Sequence, residues 1–136
     1  MIKHIAVWID HSEARVFHLH PDQTDHRHRE LATLVTVDAP QHHVHRHPKG
    51  RSGEAAPHPD DLSHFFTEVC ALLRSGRALL ILGPGTAKHQ LFTFLRAHDA
   101  DVASRVVGVE AVDHPGDAQI VAFARTAFLK SDRMAG

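Results

Sequence analysis

Near the N-terminus the chain carries three short apolar runs at strand spacing. Lys3-His4-Ile5-Ala6-Val7-Trp8-Ile9-Asp10 reads as a strand that ends at an acid. His11-Ser12-Glu13 is a short turn, after which 14–20 place Val16 and His18 on one side and Phe17 and Leu19 on the other. Two strand-like runs around a short turn predict a hairpin. A second turn covers 21–25, and a third strand follows within 26–37, clearest at Leu34-Val35-Thr36-Val37. Together these runs predict an antiparallel meander.

The second half has another rhythm. Five apolar residues, Ala78 to Leu82, stand between Arg77 and Gly83. They are too few for a stable helix and predict a strand buried on both faces. Gly83-Pro84-Gly85 forces a turn, and a helix over 86–98 carries Leu91, Phe92, Phe94 and Leu95. An earlier helix begins near Asp60 or Asp61, points Leu62, Phe65, Phe66, Val69, Leu72 and Leu73 inward, and ends at Gly76. Within 102–112, Val106-Val107-Gly108-Val109 predicts a further buried strand that ends near Asp113. After Pro115-Gly116-Asp117, a last helix presents Ile120, Val121, Phe123, Ala124, Ala127 and Phe128. The order β-β-β-loop-α-β-α-β-α predicts one α/β domain over 1–136. Its mixed five-stranded sheet has order 3-2-1-4-5, strand 2 antiparallel, and helices on both faces.

Residues 38–59 break the pattern. Pro40, Pro48, Pro57 and Pro59 with Gly50 and Gly53 oppose regular structure, and His42, His43, His45 and His47 alternate with Arg46 and Lys49. The reading is a basic, polar, flexible loop. It belongs to a wider bias, because eleven of the 15 histidines lie between His11 and His64. The protein's charge should therefore respond to pH near the imidazole pKa of ~6.5. With neutral histidines the net charge of -1 excludes a generally basic nucleic-acid binder. Cys70 is the one cysteine and sits among Val69, Leu72 and Leu73, so it reads as a small core residue. With no partner for a disulfide, a reducing cytoplasm is the expected compartment. No apolar stretch approaches the ~20 residues that span a bilayer, so no membrane role is expected.

Three groups of residues are candidates for chemistry. Gly83, Gly85, Thr86 and Lys88 form a strand–turn–helix corner that can present backbone N–H groups and a cation to a phosphate. The competing reading is that the glycines only permit the turn and Lys88 is a solvated helix residue. The spacing is not that of a Walker loop, so nucleotide hydrolysis is not expected. The loop histidines His42, His43, His45 and His47 suit Zn2+ or Ni2+, although a structural zinc site wants four fixed ligands. Arg46, Lys49 and Arg51 can contact phosphates, or the whole loop can be a solvated linker. Asp10 and Asp113 are the third group. A two-metal nuclease needs carboxylates on adjacent strand ends, and Asp10 fits that position. The strand 78–82 ends without a carboxylate, however, and Asp10 also reads as a cap in the hairpin turn. Trp8, Phe17, Phe65, Phe66, Phe92, Phe94, Phe123 and Phe128 sit at core-facing spacings, which leaves no aromatic platform for base stacking.

Several segments resemble the middle domain of archaeal and eukaryotic peptide-chain release factors and of Pelota, and its stand-alone bacterial "translational machinery protein" relatives. They are Ala6-Val7-Trp8-Ile9-Asp10 with Glu13-Ala14-Arg15-Val16, Leu82 through Lys88, and Val107 through His114. The resemblance implies a ribonuclease H-like fold and association with ribosomes, ribosomal RNA or transfer RNA. In release factors the loop before the first helix carries Gly-Gly-Gln. Here the matching stretch is Pro48-Lys49-Gly50-Arg51-Ser52-Gly53-Glu54-Ala55, so peptide release by that motif is not expected. The leading expectation is a non-enzymatic binding protein of the translation apparatus with no cofactor. A metal-dependent hydrolase or nuclease using Asp10, Asp113 and the loop histidines is the alternative. A homo-oligomer built through a sheet edge or helix face is a third.

Overall fold

Two strands with no polar residue between their ends create the centre of the sheet. In β1 (His4–Ile9) and β4 (Ala78–Gly83) every residue from Ile5 to Ile9 and from Ala78 to Gly83 is buried. The structure, a computed structural model, describes residues 4–19, 32–40 and 59–135. β1 pairs antiparallel with β2 (Glu13–Leu19) and parallel with β4. β2 pairs antiparallel with β3 (Ala32–Asp38), and β4 pairs parallel with β5 (Val106–Ala111). The strand order is β3-β2-β1-β4-β5, as the sequence pattern predicts.

Period-2 alternation sends each strand's apolar residues to two opposite layers. Ile5, Val7, Ile9, Leu79 and Ile81 face a layer built by α1 (Pro59–Leu73), α2 (Ala87–His98) and the short α3 (Ala100–Ala103), which contribute Phe65, Val69, Leu73, Leu91, Leu95 and Val102. Ala6, Trp8, Phe17, Leu80 and Leu82 face α4 (Asp117–Ala135), whose Ile120, Ala124 and Phe128 recur at i, i+4 and i+8. One helix about 10 Å wide covers roughly two strands spaced ~4.8 Å apart, so α4 cannot cover a five-stranded sheet. Leu34 on β3 and Val107 on β5 accordingly remain 41% and 43% exposed.

Two sequence expectations need correction here. The fifth strand is not buried: it forms the sheet edge, where Val106, Gly108 and Val109 are partly covered and Val107, Glu110 and Ala111 are exposed. Phe123 is not in the core but 41% exposed on α4, because Ile120, Ala124 and Phe128 already fill the line that faces the sheet. α3 was not predicted, since four residues are too few to display a period.

Asp99 joins the helices of the larger layer. One carboxylate oxygen accepts from the Val102 N–H at 3.3 Å and caps α3, while the other accepts from Arg74 Nε at 3.2 Å on α1. The buried Cys70 thiol donates to that same oxygen at 3.7 Å, and burial pushes its pKa up. The Val102 N–H first, and the Arg74 guanidinium second, hold the Asp99 carboxyl below the usual carboxylate range. A depressed carboxyl pKa contributes stability in full above the unfolded value of ~3.9 and loses it as pH falls through the folded value. Asp99→Asn should therefore lower the urea midpoint at pH 7 and flatten the decline in stability below about pH 4. Parallel acid profiles for the two proteins would contradict this role.

Candidate functional site

The three parallel strands β1, β4 and β5 end on the same side of the sheet. Open α/β sheets present ligand crevices at such carboxyl ends. Here they gather Asp10, the turn from Gly83 to Lys88, and Asp113 with His114. Gly83 sits tightly: a Cβ there would lie 2.2 Å from the Ile9 carbonyl oxygen. Its own carbonyl accepts from the Val112 N–H at 3.0 Å, which ties β4 to the segment that leaves β5. Gly85 is the opposite case, exposed, with nothing within 4 Å of the place a Cβ would take.

Thr86 is the N-cap of α2 and is exposed, but its side chain makes no capping hydrogen bond. No acidic side chain lies in the first turn, so the positive end of the α2 dipole faces outward without a local carboxylate. Lys88 is placed differently from its neighbours. It is only 6% exposed and its Nζ donates to the Gly85 carbonyl. The ammonium group thus underpins the turn from the inside rather than projecting from it.

A second cluster flanks this corner. Trp8 is fully buried, and its Nε1 donates to the Asp113 carbonyl at 2.8 Å. The Arg15 guanidinium lies 4.5 Å from the Trp8 ring centroid and pairs with Asp117 at 2.6 Å and Glu13 at 3.3 Å. The His114 ring meets Trp8 edge-on at 5.2 Å. His114 stands between two carboxylates, with Nε2 3.8 Å from Asp10 and Nδ1 3.3 Å from Asp113. On the α2 side, His11 Nε2 and Gln90 Oε1 are 2.6 Å apart, so the β1–β2 turn is fastened to α2.

Asp10 and Asp113 are therefore brought to one place, but with different duties. One Asp10 oxygen accepts the Ser12 and Glu13 N–H groups at 2.8 and 2.9 Å, which is the turn-capping role the sequence allowed. Asp113 is held through its backbone, and its side chain is 92% exposed. Among the described residues no group of three or more His, Cys, Asp or Glu side chains could hold a metal ion. His42, His43, His45, His47, Arg46, Lys49 and Arg51 all lie outside the described residues.

Sequence reasoning missed the Trp8–Arg15 stack, His114 and Asp117. The first was readable. A turn centred on 11–12 pairs Trp8 directly with Arg15, and direct partners share a face of the sheet. His114 and Asp117 gave no such signal, because their approach depends on where the loop after β5 lands.

No protein-family model matches the sequence, and no curated protein matches it. Solved structures do match. Pelota from Archaeoglobus fulgidus superposes with a TM-score of 0.62 at 18% identity, over 99% of this chain and 35% of that one. Pelota from Thermoplasma acidophilum gives a TM-score of 0.56 at 22% identity, over 90% of this chain and 31% of that one. The fold is shared with Pelota. This chain spans about a third of the length of those Pelota structures, whose remaining parts have no counterpart in it. No helix among the described residues is long and apolar enough to cross a membrane.

Proposed function

We propose that this chain is a Pelota-like binding module of the translation apparatus, which attaches to the ribosome through ribosomal or transfer RNA and performs no peptide release. The overlay of nearly the whole chain on Pelota carries this reading. Two local features support it. The corner at Gly85 and Thr86 is exposed and offers the dipole-positive end of α2, which suits a phosphate. Asp10 is occupied as a turn cap, which favours binding over metal-dependent hydrolysis by Asp10 and Asp113. Arg46, Lys49 and Arg51 would add contacts to the phosphate backbone, with Lys88 holding the shape of the turn. Cytoplasmic location and independence from any cofactor belong to the same proposal, as does the absence of Zn2+ or Ni2+ from its working state.

Ribosome co-sedimentation over a salt series tests the reading. The bound fraction should fall steeply between about 50 and 200 mM salt, as phosphate contacts require. The double variant Lys49→Ala/Arg51→Ala should weaken binding severalfold and flatten the salt slope. No binding at any salt concentration would overturn the proposal, and so would metal-stimulated RNA cleavage that Asp10→Asn abolishes.

A further inference from the structure

The face of the sheet that α4 fails to cover contains a groove of ≈ 780 Å³ between the edge strand β5 and α4. Its floor is Leu80 and Gly108, and Val107 and Phe123 stand exposed along it. Glu110 and Lys130 also line the groove, and neither has an ion-pair partner among the described residues. Their positions follow from the chain path. α4 follows β5 after a five-residue connection, 112–116, and runs back along the sheet, so Glu110 and Phe123 lie toward one end of the groove. Val107 and Lys130 lie toward the other.

That arrangement is complementary to itself. A twofold axis through the middle of the groove would set each Glu110 against the partner copy's Lys130, and each Phe123 against the partner copy's Val107. We infer that this groove is the interface of a homodimer, in which α4 of one copy packs antiparallel against α4 of the other, Phe123 packs against the partner copy's Val107, and the Glu110 carboxylate, which lies over Gly108, meets the partner copy's Lys130. Pairing of β5 edges into a continuous sheet is a poorer fit. Between Leu79 and Leu80, β5 carries one extra residue, Val107, which breaks the even spacing a strand partner needs. The same irregularity turns Val107 into the groove, where a helix side chain can meet it.

The dimer is independent of the ribosome reading and is tested without it. Sedimentation velocity on the full chain should show a monomer–dimer equilibrium with a dissociation constant in the ~µM to ~mM range of small interfaces. Because symmetry counts each substitution twice, Glu110→Lys or Lys130→Glu alone should weaken dimerisation about tenfold. Combining Glu110→Lys with Lys130→Glu should restore it. Phe123→Glu should leave a monomer with an unchanged far-UV circular dichroism spectrum, since the side chain is half-exposed in the monomer. A monomer at every concentration would overturn the inference. So would a dimer indifferent to the single charge reversals, or one that the double reversal fails to rescue.

Discussion

Trp8→Ala is expected to lower the free energy of unfolding by about 3–5 kcal/mol, the usual cost of removing a large buried aromatic side chain. Trp8 is fully buried against the α4 layer, on the central strand, where neighbouring strands on both sides limit collapse around the space it leaves. Two polar groups lose a contact as well. The Asp113 carbonyl loses the Nε1–H donor at 2.8 Å, and the Arg15 guanidinium loses the ring face beneath it. Trp8→Phe separates these contributions. It keeps most of the apolar contact while deleting the hydrogen bond, so it should cost only about 1–2 kcal/mol. Urea unfolding followed by circular dichroism gives both values. Equal losses for the two variants would show that the hydrogen bond, not the packing, dominates this corner.

Gly83→Ala should cost about 3 kcal/mol, far more than a methyl group ordinarily does, because the obstacle is main chain. The new Cβ would fall 2.2 Å from the Ile9 carbonyl oxygen, and Ile9 belongs to the central strand. A flexible side chain could step aside, but β1 cannot move without disturbing its pairing with β2 and β4. Relief by shifting β4 would instead stretch the Val112 N–H bond to the Gly83 carbonyl. Gly85→Ala is the internal control. With nothing within 4 Å of its Cβ position, it should change stability by no more than about 0.5 kcal/mol. Thermal melts of the two variants side by side decide the matter, and a similar drop in both would mean that the turn, not the clash, is sensitive.

What the sequence revealed depended on whether a property was local. The identity and order of the strands were legible because β1 and β4 are apolar without interruption, and only a strand covered on both faces tolerates that. Edge or centre is not a local property. The run Val106 to Val109 has the composition of a buried strand, yet it lies at the margin because among the described residues only β4 pairs with it. Phe123 misled for a related reason, since a helix facing a sheet needs one line of apolar side chains, and Ile120, Ala124 and Phe128 already supply it. Lys88 was legible in hindsight. It lies three and seven residues before Leu91 and Leu95, on the line α2 buries, so its spacing outweighed its charge. The carboxylate–imidazole–carboxylate approach at Asp10, His114 and Asp113 was not legible, because it joins segments a hundred residues apart.

The additional residue in β5 also bears on how this protein behaves when crowded with copies of itself. An outermost strand with regularly spaced amide and carbonyl groups is a template on which further chains can stack without limit, the route to fibres. Val107 interrupts that template near the start of the strand. A twofold contact through the neighbouring groove would close at two copies, whereas stacking along this margin would not.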